Sequence, residues 1–235
     1  PADAQYGPWV APLPSSGGST SSYAHGNTRT LSNGIPISQD ANGNLTAIPG
    51  VYTYTWNARD QLSAVTGAGT ASYQYDALGR RRVKTLNGQT TRQLLAGWDV
   101  VQERDATNAV TANLLAGPGI DDVLARTDAA GTRSLLTDAQ GSTQALADSS
   151  GVIHTRYRYQ PYGTSFTVGA ASTNPYQYTG RENDLPHPYY YRHRYYLPAA
   201  GRFLSDAPLG EADGGHLYVF LRCNPFPRFS PLCFF

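Results

Sequence analysis

The chain has 235 residues, a formal net charge of +1, 40% hydrophobic and 15% charged residues. A balance this close to neutral sets up no field that would draw nucleic acid or an anionic membrane to the whole molecule, and no run of 18 apolar residues offers a membrane-spanning helix. The 24 glycines and 16 prolines stay below the roughly 25–30% that marks low-complexity disorder, and 2 cysteines are too few for a disulfide framework in a chain of this size.

Tyrosine dominates the aromatics, with 17 residues against 7 phenylalanines and 3 tryptophans. Tyr, Thr and Val favour pleated, half-buried surfaces, so composition points to a turn-rich all-β protein. The chain starts at Pro1 and has no methionine. It is expected to be a piece of a longer protein, and the lack of a leader therefore says nothing about location.

Residues 1–38 are rich in Pro, Gly, Ser and Thr at their start (APLPSSGGSTSS). They lack alternation and read as a linker or edge region, with Trp9 as a local anchor. Residues 39–175 repeat a simple unit, a β run followed by Asn, Asp and Gly. Tyr52, Tyr54 and Trp56 alternate, as do Tyr73 and Tyr75, and Tyr157 and Tyr159. Period-two spacing puts each set on one sheet face. Asn33-Gly34, Asn87-Gly88 and Asp40–Gly43 carry hairpin-turn chemistry, because Asn and Gly accept the positive φ that tight turns need. Tyr54 and Tyr75 lie 21 residues apart, a repeat period. One such hairpin cannot bury its own apolar face, so neighbours are expected to stack edge to edge in one sheet.

Residues 176–225 interleave tyrosine and arginine: Tyr189, Tyr190, Tyr191, Arg192, Arg194, Tyr195 and Tyr196, then Gly201-Arg202-Phe203-Leu204-Ser205. Guanidinium groups stack on tyrosine faces, and long Arg stems cover apolar surface, so the block reads first as sheet scaffold. An aromatic nucleic-acid surface is disfavoured, because Glu182, Asp184, Asp206, Glu211 and Asp213 dilute the positive charge. Exposed tyrosines gripping a cell-surface glycan are the other binding reading. Residues 226–235 form an apolar tail or degenerate junction.

The run YQYDALGR at Tyr73–Arg80 resembles the YD repeat, whose pattern is Tyr-x-Tyr-Asp-x-x-Gly-Arg. Tyr52–Leu62 (YTYTWNARDQL) and Tyr157–Gly163 (YRYQPYG) resemble it more loosely. Tyr176–Pro225 resembles the core-associated segment that ends the β-cage of Rhs, YD-repeat and Tc-toxin C proteins. The resemblance implies an all-β fold: a YD-repeat hairpin meander forming part of a large curved cage, with short helical or irregular C-terminal segments. It implies a structural role, enclosing and presenting a C-terminal toxin in bacterial competition or against a host. The implied partners are the toxin domain as intramolecular cargo, secretion-system or immunity proteins, and a surface glycan, at a secreted or cell-surface location. The residues expected to carry the scaffold are Tyr73, Tyr75, Arg181, Tyr190, Arg192, Arg194, Tyr195, Tyr196, Arg202 and Phe203.

The resemblance also implies an aspartyl autoprotease, which needs two carboxyls sharing a proton. This chain departs from the family pattern twice. Ala207 stands where an aspartate is expected, with Asp206 one place early, and Ser230 replaces the aspartate of the cleavage motif, with Cys233 where its glycine belongs. Asp206 is the one candidate catalytic acid, and self-cleavage is expected to be weak or absent. In a strand a one-residue displacement would send its side chain to the other face.

No cofactor or metal is expected. His25, His154, His187, His193 and His216 show no metal-ligand spacing; His193, His216, Cys223 and Cys233 are the one set that could hold zinc. Gly67–Thr70 lacks the Lys-Ser/Thr ending of a phosphate loop and reads as a turn. Tyrosines packed between strands would favour the scaffold, a surface row of tyrosines the glycan, and Asp206 beside a second carboxylate the protease.

Overall fold

The computed structural model describes residues 31–32, 35–119, 121–184 and 188–208, with Tyr218 and Phe220; for 31–36 it describes the backbone alone. Two short strands, β1 (Leu31–Ser32) and β2 (Ile35–Pro36), pair with each other. A single antiparallel meander of fourteen strands follows. It runs β3 (Ser38–Gln39), β4 (Leu45–Ile48), β5 (Tyr52–Trp56), β6 (Leu62–Gly67), β7 (Ala71–Tyr75), β8 (Arg81–Leu86), β9 (Gln89–Ala96) and β10 (Asp99–Arg104). It continues through β11 (Val110–Ala116), β12 (Val123–Asp128), β13 (Gly131–Thr137), β14 (Thr143–Ala147), β15 (Ile153–Tyr159) and β16 (Ser165–Gly169). Every strand pairs with its sequence neighbours, as expected of stacked hairpins. A four-stranded sheet completes the fold: β17 (Glu182–Asn183), β18 (Tyr189–Tyr191), β19 (Arg194–Leu197) and β20 (Arg202–Phe203), with single 3-10 turns at Tyr178–Gly180 and Pro198–Ala200.

The turns explain the aspartate of the repeat. Seven of those that join meander strands, starting at Asp40, Asn57, Asp76, Asp105, Asp138, Asp148 and Gln160, share one backbone pattern. The N–H of the first residue donates to the carbonyl of the fifth, and the N–H of the fourth donates to the carbonyl of the first. The fourth residue has positive φ: Gly43, Asp60, Gly79, Asn108, Gly141, Gly151 and Gly163. In six of the seven the first side chain's Oδ1 accepts the N–H of the third and fifth residues, as Asp76 does from Leu78 and Arg80 at 3.0 Å each. A short side chain with a free acceptor can reach those two amides; the longer Gln160 is the exception. Asn87 and Gly88 form the two-residue turn with positive φ at both positions (48° and 85°), the type I′ geometry that Asn-Gly favours.

The same six turns each carry a β-bulge on the returning strand. Register skips Thr46, Ser63, Arg82, Thr111, Gln144 and His154. A bulge inserts one unpaired residue, so side chains three apart, not two, share a face. Leu62 and Val65, Arg81 and Lys84, and Thr143 and Leu146 are therefore all turned inward and buried. Neighbouring turns along that edge are tied together: Asn42 and Asn44 donate to Asp60, Arg59 to the Ala77 carbonyl, and Arg80 to the Gly97 carbonyl.

Alternation then builds the core. Tyr54 and Tyr73 are buried while Thr53, Thr55, Ser72 and Gln74 are exposed. The small sheet lies against this inner face and is buried on both of its own. Tyr190 and Tyr195 are directly paired and join Leu45, Tyr54, Leu62, Val65, Ala71, Tyr73 and Leu204 in one cluster. Tyr189, Tyr191, Tyr196 and Phe203 point the other way, into a cluster with Tyr178 and Phe220, where Tyr196 and Phe220 stack at 4.1 Å. Successive tyrosines of the Tyr189–Tyr191 run thus serve opposite faces, as strand geometry requires.

Candidate functional site

Where the two sheets meet, the interior is charged. The bulge on β8 turns both Arg81 and Lys84 inward, and β17 with the residue after it supplies Glu182 and Asp184. The Arg81 guanidinium donates to Asp184 Oδ2 at 2.5 Å and to Glu182 Oε2 at 2.7 Å. Lys84 Nζ donates to Glu182 Oε2 at 2.7 Å and to Asp184 Oδ1 at 2.9 Å. Gln93 on β9 donates to both Glu182 oxygens at 2.9 Å. Tyrosines wall the cluster. The Arg81 guanidinium lies 4.0 Å from the Tyr190 ring centroid, its backbone N–H donates to the Tyr190 hydroxyl at 3.1 Å, and Tyr75 and Tyr195 share a hydroxyl hydrogen bond of 2.9 Å.

Two cations and two anions balance. Burial pushes the Glu182 carboxyl up, but Arg81, Lys84 and the hydrogen bonds from Lys84 and Gln93 outweigh it and hold its pKa at about 2. Burial pulls Lys84 down, and Asp184 and Glu182 more than reverse this, leaving it raised. A buried ion pair is retained only when geometry and extra hydrogen bonds offset desolvation, and this cluster meets that condition. Its chemistry is adhesive: a carboxylate flanked by two cations and an amide is poorly placed to accept a proton.

One further network joins the core segment to the sheet, and another ties strands of the sheet to the loop that precedes that segment. Asp121, in the turn between β11 and β12, pairs with Arg181 and Arg192 at 2.7 Å each. Arg126 on β12 bridges Glu103 on β10 at 2.7 Å and donates to Thr173 at 2.9 Å. Arg194 lies 3.6 Å from the Phe203 ring centroid and Arg181 4.9 Å from that of Tyr191. Of the expected scaffold residues, Tyr73, Arg181, Tyr190, Arg192, Arg194, Tyr195, Tyr196 and Phe203 are buried, and Tyr75 and Arg202 are half-buried. The glycan reading required a surface row of tyrosines, which the described Tyr189–Tyr196 block does not present.

Asp206 lies elsewhere. It follows β20 in irregular backbone, so strand alternation does not set its direction. It sits over the Gly43 turn with Tyr218. A Cβ placed on Gly43 would come within 2.7 Å of Asp206 Oδ1, and the Tyr218 hydroxyl donates to the Gly43 carbonyl at 2.8 Å. Burial first, then Asp206, push the Tyr218 phenol up, while Arg202 opposes them. Asp206 Oδ1 and Ser205 Oγ are buried without a hydrogen-bond partner among the described residues.

Glu182 and Asp184, the anionic half of the cluster, were legible in the sequence only as charge diluting the Tyr/Arg block. Their signal was weak: two carboxylates in a segment crowded with buried aromatics. His193 packs against Trp98 with the rings tilted and their centroids 5.6 Å apart, and His154 contacts Asp148 at 2.6 Å. His25, His187, His216, Cys223 and Cys233 lie outside the described residues, as do Asn33-Gly34, Asp213, Ser230 and the tail at 226–235; among the described residues no three metal-ligating side chains cluster.

No family model matches the chain. It is 36% identical over 219 residues to the tRNA3(Ser)-specific nuclease WapA of Bacillus spizizenii, covering 87% of this chain and 9% of that protein. It is 31% identical over 218 residues to the toxin subunit YenC1 of Yersinia entomophaga, covering 78% of this chain and 22% of that protein. The chain thus spans less than a quarter of these curated relatives' length. The TcdB2–TccC3 crystal structure matches with a TM-score of 0.68 at 28% identity, over 83% of this chain and 11% of that one. A Photorhabdus luminescens Tc holotoxin pore matches with a TM-score of 0.71 at 25% identity, over 92% of this chain and 13% of that one.

Proposed function

The chain is a cage segment of the Rhs/YD-repeat family, and from that premise we propose that it forms part of the wall of a shell enclosing a toxin domain on the same polypeptide. The observation that carries this reading is the burial of the Tyr/Arg segment on the inner face of the meander, fastened by the Arg81–Lys84–Glu182–Asp184 cluster. A segment buried on both faces and pinned by ions is suited to end a wall rigidly. The protein works outside the producing cytoplasm, secreted or at the cell surface. No helix among the described residues is long and apolar enough to cross a membrane.

The test is limited proteolysis of the longer toxin protein that contains this segment. The downstream domain is expected to resist cleavage while the shell is intact and to become sensitive when Arg81→Met loosens the core segment. Equal sensitivity of the domain in the shell and on its own would overturn the proposal.

A second reading rests on the Asp206 oxygen that has no hydrogen-bond partner among the described residues: a surviving autoprotease that releases the toxin. Intact mass of the chain extended by a reporter domain decides it. A clean cut just beyond Leu232 that Asp206→Asn abolishes would establish it; an uncut chain would end it.

A further inference from the structure

The face of the meander opposite the core segment gathers arginines over β9. The bulge that turns Arg81 and Lys84 inward leaves Arg82 on the outer side. Gln93 is buried on the inner side, so alternation turns Arg92 outward. Arg92 lies opposite Val83 on β8 and directly opposite Arg104 on β10. Around them the cross-strand rows of this face carry Gln74, Val83, Val110, Leu94, Gln102 and Asn113, none of them acidic. The carboxylate of β10, Glu103, is turned inward and buried.

These three side chains lack the partners that other arginines have. Arg80, Arg81, Arg126, Arg181 and Arg192 each pair with a carboxylate. No carboxylate among the described residues pairs with Arg82, Arg92 or Arg104. Two of the three guanidinium groups are nevertheless fixed, each through Nε alone. Arg82 Nε donates to the Gln93 carbonyl at 2.9 Å, and Arg104 Nε donates to Gln102 Oε1 at 2.6 Å. Both anchors lie beside Arg92, since Gln93 follows it in the chain and Gln102 is opposite Leu94. The Nη groups of two pinned arginines therefore flank a third, exposed one. Like charges directly opposite one another destabilise a sheet, and a bound anion would relieve that repulsion.

We propose that Arg82, Arg92 and Arg104 form a binding site for the sulfate or phosphate groups of an anionic glycan. A guanidinium offers its planar fork to such an oxyanion two N–H groups at a time, and holding two forks in place beforehand lowers the ordering cost of binding. The site is a matter of side chains alone. The backbones of β8, β9 and β10 are already paired on both sides, so no further strand can add here by main-chain hydrogen bonds. Single-stranded nucleic acid is the poorer fit, because it needs aromatic platforms for its bases and the surrounding rows have none. A polyanionic glycan is also the oxyanion polymer met at a secreted or cell-surface location.

Calorimetric titration is the test, with a heparin oligosaccharide, a poly-glutamate peptide of equal charge and a single-stranded oligonucleotide as probes. Each is titrated into the 235-residue chain and into the longer toxin protein that contains it. The heparin oligosaccharide should bind both proteins, with an affinity that falls roughly 20-fold between about 50 and 200 mM salt, as counterion release at three cations requires. Arg92→Gln should weaken it about tenfold through the loss of one charge-assisted pair. Its melting temperature should be unchanged or higher, because the repulsion from Arg104 is relieved. Arg156→Gln, at an exposed arginine on β15, should bind as the parent does. A chain that does not bind the oligosaccharide overturns the proposal. So does equal or tighter binding of the peptide or the oligonucleotide, or binding that Arg92→Gln leaves intact or loses only by unfolding. A longer protein that excludes the oligosaccharide while the chain binds it also overturns the proposal, since the arginines would then be covered or face the interior of the shell.

Discussion

Replacing Arg81 by methionine removes one cation from the buried cluster with little change in volume. In the parent protein the guanidinium contacts Asp184 at 2.5 Å, Glu182 at 2.7 Å and the Tyr195 hydroxyl at 3.3 Å, over the Tyr190 ring at 4.0 Å. Its loss leaves Lys84 facing two carboxylates and strands one negative charge in the interior. Breaking a buried ion pair by removing one partner costs about 3–5 kcal/mol, of which the lost cation–π contact can supply up to about 2. For a chain of this size about 2–4 °C of melting temperature follows each kcal/mol, so the variant should melt roughly 10 °C lower. Denaturant titration gives the free energy, and hydrogen exchange locates the loss, which should fall in the 182–203 segment and in β8. Arg81→Met combined with Asp184→Leu restores charge balance and should recover a large part of the loss, because an apolar replacement of a whole buried pair is often neutral. A single variant within about 1 kcal/mol of the parent, which is the scale of an exposed pair, or strictly additive effects in the double variant, would refute the assignment of the cluster as the fastener.

Acid should weaken the same fastener. Glu182 has its folded pKa depressed to about 2 from 4.5, so its contribution is full above the unfolded value and is lost as pH falls from about 4.5 towards 2; the shift corresponds to about 3 kcal/mol. Urea midpoints should hold level at mildly acid pH and drop below about 4.5, with a flatter profile in Glu182→Gln. Asp76→Ala removes the acceptor for two turn amides and the Arg80 partner at 2.7 Å; at this half-buried turn the expected cost is about 1 kcal/mol, with Asp76→Asn recovering most of it in the same denaturation assay. Two glycines separate conformation from contact. Gly88→Ala, at φ +85° with open space around it, should cost only the left-handed backbone penalty of about 1 kcal/mol. Gly163→Ala, at φ +88° with its Cβ within 2.4–2.8 Å of the Tyr178 ring, should cost clearly more; equal melting temperatures would mean that the Tyr178 ring yields freely.

Much of the fold is local chemistry and was legible in the chain. The alternation of Tyr52, Tyr54 and Trp56 and of Tyr73 and Tyr75, with Asp and Gly at turn spacing, specifies stacked antiparallel hairpins, because strand period and positive-φ turns depend on neighbours in sequence. The Tyr189–Tyr196 block was legible only as Tyr/Arg scaffold; that its tyrosines would serve two faces, both buried, came from the structure. The bulges were invisible to a period-two reading. It would pair Arg81 with Val83, whereas the skipped residue at 82 pairs Arg81 with Lys84.

Only tertiary structure decided the rest. Arg81 meets Asp184 across 103 residues and Lys84 meets Glu182 across 98, and no local pattern encodes a contact at that separation. Asp206, which sequence reasoning placed by strand alternation, lies beyond the last strand beside Tyr218 and Gly43, where chain direction is set by packing. Sequence by itself determined the hairpin, its turn and its two faces, through short-range sterics and hydrogen bonds. Which charges would be sealed inside depended on bringing the core segment back over the sheet, because the cost of burying a carboxylate is met only when its distant cations are already in place.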